Sequence, residues 1–446
     1  MQDPQLPGGF LLLRILPTTF VTTSTALQTF ETTTDDAVII HRFNQDLALR
    51  ILFLHEVNYL KKPIFEMHEF PEHLAALGHT VGFVQFPEGE SRASLARTPF
   101  KQQIQGRVLI SQSITLYTPE TLSGIFLGRL LAVFTFKSVF KKVVHDFEPD
   151  VVVSLSVPTS GWQAVQVCKK LGVPLVFRAL DVSHKIRKSA LSPLIRLAEQ
   201  YIYKNADWVS ANNPAMLEYI RDAGARSESS GINFPPLDLR HFADAKKAKR
   251  EIREKLSIPL DANVVVYMGS FFYFSGLPEV IKSFAEIANN NDRLVLIGGG
   301  EQDHELRELS KALGVQSQII FTGMVSYSDL PKHLGVADVA INPLNPSVVA
   351  STALPNKVLQ YMASGLAVVS TKLRGLVQTF ETSLPGLQFV EHPKDLLVTA
   401  LKVGADTAAN SSVGEGNKKA VAELFDKDLA INSFEKSLLM VAGEKT

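Results

Sequence analysis

Two glycines flank a short loop that could bring the peptide backbone close to a phosphate group. The stretch MGSFFYFSG (268–276) has the pattern of a strand that ends near Gly269 and a helix that begins after Gly276. Glycine has no Cβ, so the backbone can approach a ligand closely at both positions. The free N–H groups at the start of a helix attract anions. The sequence therefore predicts a phosphate-binding turn at this strand end.

A second glycine turn follows the next predicted strand. The stretch IGGGE (297–301) places three glycines directly after the apolar run RLVLI, and Gly299 and Gly300 are the candidate ligand contacts. Such a turn either simply connects a strand to a helix or leaves room for a ligand, and the pattern alone does not separate the two readings.

A long loop then leads into a helix whose start carries polar side chains. The loop 342–357 ends at Pro355 and Asn356, and the first turns of the predicted helix carry Lys357 and Gln360. Long loops at sheet ends are often functional. We therefore count this helix start as a third candidate contact, on the same side of the sheet as the two glycine turns.

Three ionisable residues follow a predicted strand in the first half of the chain. In VFRALDVSH they are Arg178, Asp181 and His184. Such a group at a strand end could bind a second substrate or act as a general base, with Asp181 and His184 as the candidates. In the alternative, Arg178 and Asp181 form a structural ion pair and His184 caps the next helix.

The elements that must position these residues alternate between strand and helix along the chain. Near-continuous apolar runs such as LRILFLHEV, DVVVSLSV and NVVVYMGS suit strands that are buried on both faces of a parallel sheet. The alternation predicts an α/β protein with two doubly wound, Rossmann-like domains, and ligands bind such folds at the carboxyl ends of the strands. A charged, proline-punctuated stretch, 232–260, is the predicted linker.

We therefore expect four parts in the chain. Residues 1–48 would be an N-terminal extension, 49–242 a first domain and 243–424 a second, ligand-binding domain, and a helix at about 425–446 would return to the first domain. The chain has 446 residues and formal net charge +0, so bulk charge gives no indication of nucleic-acid binding. A single cysteine, Cys168, excludes a disulfide scaffold and makes a reducing cytoplasm the simplest setting.

One apolar segment has basic punctuation. The stretch 124–144, GIFLGRLLAVFTFKSVFKKVV, could lie in an anionic membrane interface, which would place the protein at the inner face of a membrane. The alternative is a helix that packs on the sheet and exposes a basic edge.

The second half resembles the donor domain of the family-4 (group 1) retaining glycosyltransferases, which have the GT-B fold. The resemblance rests on VVYMGSFFYFSGLPEVIKSFAEI, LVLIGGG, IIFTGMVSYSDLPKHLGVADVAINP and LPNKVLQYMASGLAVVST, and the first half resembles the acceptor domain through RILFLHEV and LGVPLVFRALDVSH. It implies transfer of a sugar from a nucleoside-diphosphate sugar to a hydroxyl acceptor, a glycan or a lipid-linked one. The resemblance also implies that the configuration at the anomeric carbon is retained and that the reaction needs no metal or other cofactor. It implies a role in cell-envelope polysaccharide biosynthesis as well.

Four positions depart from the pattern of that family. Ser270 and Ser275 stand where the family has Arg and Lys, and Thr352 and Gln360 stand where it has two glutamates. The second glutamate holds the nucleotide ribose in the family, and Gln360 can accept that hydrogen bond only as a neutral group.

These departures leave two readings of the function. In the first, a diverged enzyme holds the phosphates through backbone N–H groups and other cations, for which Lys357 and Arg374 are the candidates. Each cation could equally be an ordinary solvated surface charge. In the second, the protein is a catalytically impaired nucleotide-sugar or glycan-binding protein on the same fold.

Overall fold

A computed structural model describes residues 48–86, 99–119, 125–186, 190–345, 351–380 and 384–443. All of them belong to one compact unit that begins at residue 47. The predicted extension, 1–48, therefore lies almost entirely outside the described residues.

Eight described strands form the first sheet, in the order β3-β4-β2-β1-β5-β6-β7-β8. All neighbouring strands are parallel except the β3–β4 pair. The strands are β1 (Arg50–Leu54), β2 (Thr80–Val84), β3 (Phe100–Gln105), β4 (Ser113–Thr118), β5 (Val151–Ser154), β6 (Leu175–Ala179), β7 (Trp208–Ala211) and β8 (Ser230–Ile232). The helices of this half are α1 (Glu66–Ala76), α2 (Ile125–Phe147), α3 (Gly161–Leu171), α4 (Ser183–Ile186), α5 (Ser192–Asn205) and α6 (Pro214–Asp222).

Six described strands form the second sheet, which is parallel throughout and ordered β11-β10-β9-β12-β13-β14. Its strands are β9 (Asn263–Ser270), β10 (Asp292–Gly299), β11 (Ile319–Gly323), β12 (Val339–Asn342), β13 (Ala367–Thr371) and β14 (Leu387–Val390). The helices that follow β8 are α7 (Leu239–Phe242), α8 (Lys249–Lys255), α9 (Leu277–Ile287), α10 (Asp303–Ala312), α11 (Leu330–Leu334), α12 (Asn356–Ala363), α13 (Arg374–Phe380), α14 (Pro393–Ala405), α15 (Thr407–Phe425) and α16 (Lys427–Gly443).

Helices cover both faces of each sheet, which explains why the strands read as continuous apolar runs. Side chains of a strand alternate between faces, so Val264 and Val266 of β9 pack with α8, α11 and α12. Val265 and Tyr267 point to the opposite face and pack with α9, α10 and α14. The first sheet is covered in the same way, by α2, α3, α5 and α6 on one face and by α1 and α16 on the other.

The last helix crosses back to the first sheet, as expected. A break at Asp426 separates this helix from α15, close to its expected start at about residue 425. There the N–H of Leu237 donates to the Phe425 carbonyl at 2.9 Å and the Lys427 N–H donates to the Leu237 carbonyl at 3.1 Å. Beyond this break, α16 buries Phe434 and Leu438 in the core of the first sheet.

Sequence patterns located most elements but not all of them. Cys168 is buried in the core of the first sheet. The β3–β4 hairpin was not predicted, because β3 carries polar side chains at four of its six positions, FKQQIQ, and lies at an exposed edge of the sheet. Within the described residues, no helix has the length and apolar character needed to cross a bilayer.

Candidate functional site at the carboxyl edge of the second sheet

Glycines allow β9 and β10 to run side by side to their ends. Gly269 and Gly298 are paired in the ladder, with φ angles of +138° and +126°. A Cβ on Gly298 would lie 2.1 Å from the Gly269 carbonyl oxygen, so only glycine fits there. A Cβ on Gly300 would lie 2.8 Å from the Phe271 nitrogen, whereas the Cβ position of Gly299 is open. The two glycine turns predicted from the sequence are thus one continuous surface of backbone.

Lys357 reaches across this surface from α12. Its ammonium group donates a hydrogen bond to the Tyr267 hydroxyl at 2.9 Å and lies 4.2 Å from the centroid of the Tyr267 ring. A Cβ on Gly269 would be only 2.9 Å from the Lys357 nitrogen. The structure therefore brings Gly269 and Lys357 into contact and gives the glycine turn a cation.

The start of α12 is held against the end of β9. Pro355 precedes its first turn and Asn356 is exposed. The buried Tyr361 hydroxyl accepts a hydrogen bond from the Met268 N–H at 2.6 Å, and burial raises the pKa of Tyr361 well above its usual value. The helix start therefore has a fixed position beside the glycine turn.

Gln360 lies one turn into α12 and is half-buried. Its side-chain amide forms no hydrogen bond with any other residue that the structure describes. A half-buried amide without a protein partner is free to bind a ligand hydroxyl.

The two serines of the loop after β9 have different environments. Ser270 is exposed, whereas Ser275 is almost fully buried and its hydroxyl accepts a 3.4 Å hydrogen bond from the Leu277 N–H. Gly276 has a φ of +73°, and a Cβ there would lie 2.2 Å from the Pro343 carbonyl oxygen. Ser275 and Gly276 thus shape the turn from inside, and contact with a ligand would fall to Ser270 and the backbone.

Arg374 is engaged elsewhere. Its guanidinium forms an ion pair with Glu218 of α6, which also accepts a 3.0 Å hydrogen bond from Gln378. A further contact between the two halves joins the Asn213 amide to the Thr352 carbonyl at 3.0 Å. Arg374 therefore helps to join the two halves, and Lys357 is the cation that contacts the glycine turn.

Two buried hydroxyls, one after β5 of the first sheet and one before α12 in the second half, have no hydrogen-bond partner among the described residues. The side-chain oxygens of Thr352 and Ser156 make no hydrogen bond with any described residue, although both residues are buried. Because leaving a buried polar atom unpaired costs free energy, each is a candidate contact for a ligand.

In the first half, Arg178 is buried and pairs with Glu66, not with Asp181. The guanidinium donates to both Glu66 oxygens, at 3.1 and 2.8 Å. Asp181 lies beyond the end of β6 and stays open to solvent. The protein that surrounds its carboxyl group, and after that the charge of Glu66, raise the pKa of Asp181. Arg178 is therefore not available to a second substrate as part of the expected ionisable group, and the alternative, an Arg178–Asp181 ion pair, is not formed.

His184 belongs to a partly buried network behind Asp181. Its Nδ1 forms a hydrogen bond with the carboxylate of Glu199, which is fully buried. The Tyr219 hydroxyl donates to the same carboxylate at 3.3 Å. His184 thus anchors α4 to α5, and Asp181 is the accessible ionisable group at this strand end.

Sequence reasoning missed the residues that hold the site residues in place. Tyr267, Tyr361, Glu66 and Glu218 each contact a predicted site residue or its neighbour, but all four lie within ordinary strand or helix patterns. For Tyr267 alone the sequence contains a usable indication. It lies two residues before Gly269, and positions i and i+2 of a strand share a face, so Tyr267 could have been expected beside the glycine turn.

Two family models match this chain. Residues 248–418 match the family described as glycosyl transferases group 1, and residues 66–229 match the glycosyl transferase 4-like domain. The lipopolysaccharide core biosynthesis glycosyltransferase LpsE of Rhizobium meliloti is 30% identical over 175 residues, which cover 39% of this chain and 46% of LpsE. Mannosylfructose-phosphate synthase of Agrobacterium fabrum is 29% identical over 190 residues, or 40% of each chain. The matches span about half the length of these curated relatives.

Solved structures share the fold over most of the chain. Sucrose-phosphate synthase from Thermosynechococcus elongatus superposes with a TM-score of 0.69 at 18% identity, covering 88% of this chain and 99% of the other. Anabaena HepE in complex with UDP gives a TM-score of 0.66 at 16% identity, with 87% and 99% covered. At these identities the likeness is one of fold.

Proposed function

The chain belongs to the group 1 glycosyl transferases and has the GT-B fold, and on that premise we propose that it moves a sugar from a nucleoside-diphosphate sugar to a hydroxyl acceptor with retention of configuration. The donor would bind at the second sheet and the acceptor, a glycan or a lipid-linked hydroxyl, at the first. Several relatives are lipopolysaccharide or glycolipid glycosyltransferases, and HepE binds UDP, which supports both substrate classes.

One observation carries this proposal. The glycine backbone at Gly269 and Gly298–Gly300, the ammonium of Lys357 and the start of α12 meet at the carboxyl edge of one parallel sheet. Free backbone N–H groups and one fixed cation are the groups that a diphosphate needs. Gln360, one helical turn further, lies at a suitable distance along α12 to accept from a ribose hydroxyl.

In the proposed reaction, the bond between the anomeric carbon and the donor phosphate oxygen breaks, while the acceptor oxygen bonds to that carbon on the same face. The acceptor proton moves to the leaving diphosphate oxygen. Lys357 and the backbone N–H groups stabilise the negative charge that develops on the leaving group. The protein contributes orientation and charge stabilisation, without a metal or other cofactor.

Asp181 is the proposed ionisable contact to the acceptor. It is accessible at the carboxyl edge of the first sheet, where its carboxylate would accept a hydrogen bond from the acceptor hydroxyl and orient it. His184 lies in α4, which follows Asp181 in the chain, and its hydrogen bond with Glu199 holds this helix against α5. We propose that His184 positions this segment without contacting substrate.

The alternative function is nucleotide-sugar or glycan binding with impaired turnover. Ser275 faces into its own turn and Arg374 pairs with Glu218, so two of the candidate phosphate contacts are occupied. Turnover of the donor discriminates between the two functions, because the binding protein would be stabilised by donor but would release no nucleoside diphosphate.

Peripheral contact with a membrane is proposed at the face covered by α2 and α5. The side chain of Phe134 is 76% exposed, and Lys137, Lys141 and Lys142 are exposed on the same helix. Leucines at 191, 194 and 197 are also exposed, at or near the start of α5. The side chains at 124–132 of the predicted segment lie outside the described residues. Phe136 and Phe140 pack on the sheet, so α2 would use only its outer side.

A thermal-shift panel of UDP-, GDP- and ADP-sugars tests the proposed donor. A ligand that binds only the folded state raises the melting temperature by mass action, and the sugar nucleotide that does so is then incubated with the enzyme. Proton NMR then identifies which anomer of the sugar is first released or transferred, and this shows whether the configuration is retained or inverted. Retention supports the proposed reaction, whereas inversion, or stabilisation without turnover, contradicts it.

A further inference from the structure

We infer that Tyr267 is a positioning residue that holds the ammonium of Lys357 at the glycine turn, ready for the diphosphate. This inference rests on the proposed function, because it assigns Lys357 to the donor phosphates. It adds that Tyr267, a residue of β9, determines where the ammonium group of Lys357 lies.

The hydroxyl of Tyr267 has a defined direction. It donates its single hydrogen to the Ser270 carbonyl at 3.0 Å and accepts from the Lys357 ammonium at 2.9 Å. A phenol has one O–H and can donate only once. The hydroxyl therefore presents a lone pair to the ammonium and at the same time fixes the first residue of the loop after Gly269.

The ring of Tyr267 supplies a second contact from a rigid base. The Lys357 nitrogen lies 4.2 Å from the ring centroid, within the range of a cation–π interaction. Tyr267 itself is 1% exposed and packs in the core between the sheet and α9. A lysine side chain has many rotamers, and two contacts to a fixed ring reduce them in the absence of ligand.

Gly269 completes the arrangement by leaving space. Lys357 comes from the helix on one face of the sheet, whereas Tyr267 points to the other face. Residue 269 has no side chain where the lysine crosses the strand end, and a Cβ there would be 2.9 Å from the nitrogen and would displace the end of the lysine. An ammonium has three N–H donors, and the contact with Tyr267 uses one. Two remain for phosphate oxygens.

The test compares Tyr267→Phe with Tyr273→Phe. The first removes only the hydroxyl that contacts Lys357, and the second removes an exposed hydroxyl from the same loop. Calorimetric titration with UDP, GDP and ADP, and with the matching nucleosides, separates phosphate binding from base binding. We expect Tyr267→Phe to weaken the binding of the diphosphate that wild type binds by about 5- to 10-fold, which corresponds to the loss of one ordinary hydrogen bond. Binding of the nucleoside and the melting temperature should change little.

Lys357→Met provides the second arm. If Tyr267 acts through Lys357, the Tyr267→Phe change should have no further effect on diphosphate affinity in the Lys357→Met protein. Unchanged diphosphate affinity in Tyr267→Phe, an equal loss for the nucleoside, or additive effects of the two substitutions would each overturn the inference while leaving the donor site in place. Failure of wild type to bind any of the three diphosphates would overturn the proposed function together with it.

Discussion

Removing the charge of Glu66 should destabilise the first half of the protein strongly. Glu66 and Arg178 are 5% and 1% exposed, and the guanidinium also donates to the Ser210 hydroxyl and to the carbonyls of Ala211 and Asn233, at 2.9, 3.1 and 2.6 Å. One arginine thus joins α1 to β7 and to the segment after β8. In Glu66→Gln the shape is kept, but a buried positive charge loses its counter-charge.

The expected cost follows from the burial of the pair. Breaking a buried ion pair by removing one partner costs about 3–5 kcal/mol, most of it from the charge that is left unpaired. With an m-value of about 2 kcal/mol per molar urea, the midpoint of unfolding falls by about 1.5–2.5 M. In the double variant Glu66→Gln with Arg178→Met, neither member of this pair carries a charge. The double variant should therefore be no less stable than Glu66→Gln alone.

Tryptophan fluorescence during urea unfolding measures this effect. The two tryptophans of the chain, Trp162 in α3 and Trp208 in β7, both lie in the first half, so the signal reports its unfolding. Glu228→Gln is the matched control, because Glu228 forms only an exposed pair with Arg226 at 3.7 Å and such pairs contribute little. A Glu66→Gln midpoint within 0.5 M of wild type, by the same order of estimate, or strictly additive effects with Arg178→Met, would refute the argument.

Three further predictions concern the site and its supports. Gln360→Ala should weaken donor binding severalfold and Gln360→Glu should strengthen it, because a carboxylate accepts the ribose hydrogen bond more strongly. Calorimetric titration with the nucleotide that wild type binds measures both effects. Equal affinities of wild type and the two variants for this nucleotide would remove Gln360 from the site. Gly276→Ala should lower stability by at least about 1–3 kcal/mol, from its φ of +73° and the approach to Pro343, and a calorimetric melting temperature equal to wild type would contradict this. Burial lowers the pKa of His68 to about 4 from its ordinary 6.5, so the unfolded chain takes up the proton first as the pH falls. The free energy of unfolding should therefore decrease as pH drops from 6.5 towards 4, by at most about 1.4 kcal/mol per pH unit. This dependence on pH should be weaker in His68→Gln, and an identical dependence would contradict the lowered pKa of His68.

Much of the fold followed from hydrophobic periodicity, because a sheet covered on both faces leaves long apolar runs. The C-terminal helix that returns to the first sheet was predicted to start at about residue 425, and it starts after Asp426. The backbone hydrogen bonds to Leu237 that hold this break were not predicted, since Leu237 is distant in sequence. Leu237 and Phe242, which lie in the stretch expected to be the linker, pack in the core of the second sheet.

The candidate site was predictable in its location and less so in its contacts. Strand ends and glycines are visible in the sequence, so Gly269, Gly298–Gly300 and Lys357 were within reach. Whether a charge is free or paired depends on partners from elsewhere in the chain. Arg374 reads as a cation beside the site, but its ion pair with Glu218 depends on the contact between α6 and α13. Arg178 likewise pairs with a residue 112 positions away, which no local pattern shows.

Hydrogen exchange of the protein with and without its donor tests the central claim most directly. With the sugar nucleotide that raises the melting temperature, mass-spectrometric exchange should show slowed amide exchange at 268–276, 297–300 and 355–361, while the helix 303–312 serves as internal reference. Protection confined to these three segments, and reduced in Lys357→Met, is the predicted result. Protection that spares all three while appearing elsewhere, or no protection by any UDP-, GDP- or ADP-sugar, would contradict a donor site at the carboxyl edge of the second sheet.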